Sequence, residues 1–166
     1  MIDRLNESIS SNTPFCALEF FPPKTEEGKI NLFERIERMS NNLRPAWIDI
    51  TWGAGGSTSD LTVEIARYIQ KYSGTICLMH LTCTNMPRDK IDLALEACKE
   101  SGISNILALR GDPPHGSTEW QKCEGGFEYA VDLVKYIKEK HGDYFCIGVA
   151  GYPEKHLEAD NFENDI

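Results

Sequence analysis

Five short apolar runs, rich in β-branched and aromatic residues, recur along the chain at Phe15–Phe21, Trp47–Thr51, Ile76–Thr82, Ile106–Leu109 and Phe145–Ala150. None shows clean polar alternation, which is the pattern of strands buried on both faces of a parallel sheet. The segments between them carry helical spacing. Leu32, Ile36 and Met39 share one face of the first, and Leu61, Ile65 and Ile69 share one face of the second, where Ser59 or Asp60 can cap the start. The third opens with Pro87, carries Ile91, Leu95 and Cys98, and ends at Gly102. The fourth carries Phe127, Ala130, Val131, Val134 and Ile137 and ends near Gly142. Strand and helix alternating at roughly thirty residues predict repeated βα units around a parallel sheet. A closed (β/α)8 barrel takes about 250 residues, so the 166 residues here predict either an open, doubly wound sheet or about the first five units of a barrel. A single domain, 1–166, is expected.

Composition narrows the function classes. A net charge of −9 argues against a general binder of nucleic acid or of anionic membranes. No apolar run reaches the length of about 18 residues that a membrane span needs, and the opening "MIDRLNESIS" lacks an apolar signal core. The cytoplasm is therefore the expected compartment. Six cysteines, Cys16, Cys77, Cys83, Cys98, Cys123 and Cys146, form no C-x-x-C pair. They are expected as reduced thiols packed as small hydrophobes. His80 and Cys83 in "HLTC" are half of a zinc pattern with no second half, so no metal is expected.

The chemistry-bearing residues gather at one end of the predicted strands. Glu19 lies near the end of the first, Thr51 closes the second, and His80 and Thr82 close the third. Arg110 and Asp112 follow the fourth in "LALRGDPP", and Tyr152 follows the fifth in "VAGYP". In a parallel sheet all C-terminal strand ends lie together, at the edge where α/β enzymes build their sites. Glu19 stands inside the apolar run "ALEFFPP". Enclosure by Phe20, Phe21 and the sheet would raise its pKa and leave it a proton donor near neutral pH; a structural pairing with Lys24 or Arg110 is the plain alternative. Gly111 lets the backbone approach a flat or phosphorylated ligand. The loop "GAGGSTSD", Gly53 to Asp60, departs from G-x-G-x-x-G because Thr58 stands where the third glycine belongs, so it is a weak dinucleotide signal.

Six motifs, "LEFFPPKT", "DITWGAGG", "MHLTCTN", "NILALRGDPP", "GGFEYAVDLVK" and "VAGYPEKHLEA", follow one another through nearly the whole chain. Together they resemble the catalytic domain of the methylenetetrahydrofolate reductases of eukaryotic type. The resemblance implies a (β/α)8 TIM barrel holding a non-covalent FAD. It further implies reduction of 5,10-methylenetetrahydrofolate to 5-methyltetrahydrofolate with NAD(P)H as hydride donor, a step of one-carbon metabolism that serves methionine biosynthesis. By resemblance Glu19 is the general acid that helps to open the folate ring. Thr51, Trp52, His80, Arg110, Gly111, Asp112, Tyr129, Ala130, Tyr152, His156, Ala159 and Asp165 fall at flavin-side positions, while Glu19, Phe20 and Asp112 fall at the folate. The family implies a homo-oligomer for the full-length protein. The chain stops at "NFENDI", before the sixth to eighth strands and the regulatory domain that binds S-adenosylmethionine in eukaryotic relatives. The expectation is an N-terminal portion of the enzyme with little activity of its own. The alternatives are a non-catalytic partner that associates with full-length subunits through an open sheet edge, and an unrelated Rossmann-type dehydrogenase, which the incomplete glycine pattern disfavours.

Overall fold

The computed structural model of the chain describes residues 1–52, 59–113, 116, 119–156 and 158–164. Its order is α1 (Ile2–Ser11), β1 (Ala17–Phe20), α2 (Glu26–Leu43), β2 (Trp47–Ile50), α3 (Ser59–Tyr72), β3 (Cys77–Thr82), α4 (Arg88–Glu100), β4 (Asn105–Leu109), α5 (Ala130–His141) and β5 (Cys146–Val149), followed by a 3-10 turn at Phe162–Asn164. The five strands form one sheet in the order β1-β2-β3-β4-β5, and every neighbouring pair is parallel.

That order decides between the two architectures open at the sequence level. A doubly wound sheet reverses direction at a switch point and places helices on both faces. Here each crossover advances to the next strand, and right-handed crossovers then put every connecting helix on the same side. This is the winding of consecutive units in a (β/α)8 barrel. The core agrees with it. Phe20, Ile48, Ile50, Cys77, Met79, Leu81, Ile106 and Ala108 project from one face of the sheet and meet Leu32 and Ile36 of α2, Ile65 and Ile69 of α3, Ile91 and Leu95 of α4, and Leu133 and Ile137 of α5. The other face, opposite the stripes of α2 to α5 in this core, carries the alternate residues, among them Glu19, Asp49, His80, Thr82 and Leu107.

Local chemistry explains the boundaries. Thr25 caps α2, its Oγ1 accepting from the Gly28 N–H at 3.0 Å. Pro87 stands at the N-cap of α4. Beyond the C-terminus of α4, Gly102 takes φ +72° while the Ile103 N–H returns to the Cys98 carbonyl at 2.9 Å. The expected first strand is shorter than its apolar run: Phe15, Cys16 and Phe21 lie outside β1 and are exposed. The Phe15 ring instead packs on Trp47 at 5.2 Å between centroids. Phe127, placed by spacing on the fourth helix, is buried ahead of α5, and Val131 is exposed; Leu133 and Ile137 form the inner stripe. Helix α1 was not apparent from the pattern, and none of its residues is buried. Among the described residues all six cysteines are free thiols; Cys77, Cys83 and Cys98 are buried, whereas Cys16 is exposed, contrary to its place in an apolar run.

Candidate functional site

Strand alternation builds the first half of the site. Glu19 and Asp49 are register partners on β1 and β2. Asp49 pairs with Leu78 on β3, and His80, two residues further on, projects from the same face one step nearer the C-terminal end. The three side chains meet: His80 Nε2 lies 3.4 Å from Asp49 Oδ1 and 4.0 Å from Glu19 Oε2. His80 and Asp49 are buried. Burying a carboxylate is costly unless its oxygens find partners, and Asp49 has them, since its Oδ2 also accepts from the Trp47 indole Nε1 at 2.8 Å.

Glu19 does not sit where its apolar neighbours suggested. Its side chain is 50% exposed, Phe21 is largely exposed, and Phe20 turns the other way into the core. The cause is the period of two along a strand: residues flanking Glu19 point away from it, so apolar neighbours in sequence are not neighbours in space. The enclosure expected for its carboxyl is absent here, and the basic group it approaches is His80 rather than Arg110. Phe20, placed at the substrate by resemblance, belongs to the core beneath the sheet. Trp52 is likewise buried, and its indole N–H finds no hydrogen-bond partner among the described residues.

The second half of the site lies beyond β4 and β5. Arg110 makes a bidentate pair with Glu158, both nitrogen–oxygen distances being 2.6 Å, and stacks its guanidinium over the Trp120 ring at 5.4 Å. The Glu158 carboxylate holds Arg110 above its ordinary value, and Arg110 in turn holds Glu158 below its ordinary 4.5. Arg110, Trp120, Tyr129 and Glu158 line an open cavity of about 450 Å³. Tyr152 stands edge-on to the His156 ring at 4.7 Å, and His156 Nδ1 accepts from the Glu158 N–H at 3.1 Å. The Ala159 N–H closes the same turn on the His156 carbonyl at 3.1 Å. Ala130 opens α5. The Tyr129 N–H just before it is held by Asp132 Oδ2 at 3.2 Å.

Gly111 takes φ +86°, and a Cβ there would come within 2.7 Å of Thr84 Oγ1 and 2.9 Å of Thr82 Cβ. Its missing side chain is thus required by the threonines behind it. Thr84 Oγ1 lies in hydrogen-bond reach of the Arg110 and Asp112 carbonyls, at 3.1 and 2.9 Å, and accepts from Trp120 Nε1 at 2.9 Å, which fixes the "RGD" turn. Asp112 itself is exposed. Thr51 follows β2, its N–H bonded to the Phe20 carbonyl at 3.0 Å. Asp165 and most of the glycine-rich loop, residues 53–58, lie outside the described residues. Asp49, Trp47, Trp120 and Glu158 were not singled out from the sequence. Asp49 carried the same signal as Glu19, an acid inside the apolar run "WIDIT". Glu158 carried none, because its partner lies 48 residues away.

Barrel-type winding with ionisable groups at the C-terminal strand ends defines the class: an α/β domain of the kind that places its chemistry on that edge. The model of the methylenetetrahydrofolate reductase family matches residues 4–166, and the chain belongs to that family. It is 55% identical over 159 residues to "Methylenetetrahydrofolate reductase (NADH) 1" of Zea mays, covering 96% of this chain and 27% of that protein. The protein of the same name from Arabidopsis thaliana is 53% identical, with the same coverage. The "5,10-methylenetetrahydrofolate reductase" of Pectobacterium carotovorum is 37% identical over 99% of this chain and 53% of its own length. The chain thus spans about a quarter of the length of the two plant relatives. No helix among the described residues is long and apolar enough to cross a membrane.

Proposed function

We propose that this chain carries the flavin and folate face of an enzyme that reduces 5,10-methylenetetrahydrofolate to 5-methyltetrahydrofolate, with FAD as cofactor and NAD(P)H as donor. The observation that carries the reading is Glu19 on the face of β1 opposite the helical core, half-exposed and with its carboxylate 4.0 Å from the His80 imidazole, in a chain of this family. The names of the maize and Arabidopsis relatives favour NADH as the donor.

The residues present fit a flavin nucleotide by their chemistry. Arg110 offers a cation to an anionic group, Trp120, Tyr129 and Tyr152 offer aromatic surface, and the cavity at Arg110 is of the size of small-molecule sites, commonly about 300–1,000 Å³. FAD would supply hydride transfer, which no side chain can perform. The chain's own residues do the rest. Thr84 and Trp120 hold the turn that presents Arg110. Glu19 gives a proton to a ring nitrogen of the folate as the ring opens, which is the work of a positioned general acid. Its half-exposed setting leaves the substrate room to reach it. Glu158 occupies both nitrogens of the guanidinium fork, so an anionic group that binds Arg110 replaces or shares that contact.

The test is FAD retention by the purified chain after gel filtration, read from flavin absorbance. Stoichiometric retention that is lost in Arg110→Ala supports the reading. A folded chain that retains no flavin at micromolar FAD removes this face as a cofactor site.

A further inference from the structure

The contact between Asp49 and His80 says which imidazole nitrogen carries the proton. An ionised carboxylate only accepts hydrogen bonds. Asp49 is held in place from the other side, because its Oδ2 is engaged by the Trp47 indole N–H at 2.8 Å, leaving Oδ1 turned to His80 Nε2 at 3.4 Å. That approach is favourable only when Nε2 bears a hydrogen. The opposite tautomer would set two lone pairs against each other between two buried side chains.

We propose that Asp49 is a positioning residue that keeps the His80 proton on Nε2. This rests on the reading of Glu19 as the proton donor, and it deepens that reading. Nε2 also stands 4.0 Å from Glu19 Oε2. A bare Nε2 lone pair there would be a base able to take the proton that Glu19 has to deliver to the folate. With Nε2 already protonated and tied to Asp49, the imidazole does not compete, and the Glu19 proton goes to the substrate. Asp49 itself need not touch the folate. It acts through the ring it orients, as carboxylates do wherever they select a histidine tautomer.

The experiment is nitrogen-15 NMR of the imidazoles in the purified chain, at a pH where they are neutral. The two ring nitrogens then separate into protonated and unprotonated types. The chain has four histidines, and His80→Gln assigns the signal. The expected result is His80 protonated at Nε2 in the parent chain and in Glu19→Gln. In Asp49→Asn the side-chain carbonyl still accepts from Trp47, the amide now donates toward His80, and the proton moves to Nδ1. A parent signal protonated at Nδ1, an unchanged signal in Asp49→Asn, or a swap produced by Glu19→Gln each overturns the assignment. Where Asp49→Asn does not fold by circular dichroism, the parent and Glu19→Gln spectra still decide it. The readout involves neither flavin nor folate. Failure to reduce folate in a protein of the relatives' full length would remove the functional reading and leave the tautomer result intact, and a wrong tautomer would do the reverse.

Discussion

Glu19, Asp49 and His80 illustrate how a single side chain acquires a role from neighbours far away in sequence. In a protein of the relatives' full length carrying this segment, Glu19→Gln is expected to slow folate reduction by about 10²–10⁴-fold, the usual contribution of a general acid. It should leave nicotinamide-driven flavin reduction within a small factor. Stopped-flow measurement of the two half-reactions separates them, and equal loss of both would make Glu19 a structural residue. Gly111 makes the contrasting case of a residue whose presence in the "RGD" turn has a packing cause. Its φ of +86° and the 2.7 Å approach to Thr84 Oγ1 predict that Gly111→Ala destabilises the chain without any ligand, by about 1–3 kcal/mol for strain of this kind. The denaturant midpoint of the isolated chain reads this directly; an unchanged midpoint would show that the turn relaxes freely.

At the scale of elements, each βα unit is specified twice, by its apolar pattern and by its punctuation. In α2 the Thr25 cap and the Leu32–Ile36 stripe agree, and the helix runs where both place it. Ile36 is fully buried against the sheet, so Ile36→Ala should cost about 2–5 kcal/mol by leaving a cavity between helix and strands. Thermal unfolding followed by circular dichroism checks the size; a loss below that range would mean that α2 closes over the gap. Where pattern and punctuation disagree, the pattern misleads. The run Phe15–Phe21 is apolar throughout, yet only Ala17–Phe20 pair as a strand, because Phe15 finds the Trp47 ring instead of a place in the sheet. In α5 the apolar positions that begin at Phe127 hid the start of the helix at Ala130, and the inner face fell to Leu133 and Ile137.

For the molecule as a whole, the pH response offers a global test of the packing. His141 closes α5 with its side chain 2% exposed, its Nδ1 4.0 Å from Glu96. Its Nε2 finds no hydrogen-bond partner among the described residues. Burial, with a smaller push from Lys99, holds its pKa below the ordinary 6.5. The unfolded chain therefore takes up a proton near pH 6.5 that the folded chain resists. Stability from this group is complete above that pH and declines as the pH falls below it. The midpoint of thermal unfolding should drop between pH 7 and pH 5.5, and less steeply in His141→Phe; identical slopes would show that His141 charges as easily folded as unfolded. The sequence alone determined the α/β class, the five strands, most of the helix faces and the family, because these rest on periodicities of two and 3.6 and on motifs that are contiguous along the chain. Tertiary structure alone decided the rest. Whether the strands wind as a barrel or double back depends on which strand each crossover reaches, and that choice leaves little trace in local pattern. The setting of Glu19, the tie between Asp49 and His80, and the seizure of Arg110 by Glu158 are contacts across 31 to 61 residues of chain. They exist only once parallel strands in register bring their C-terminal ends to one edge.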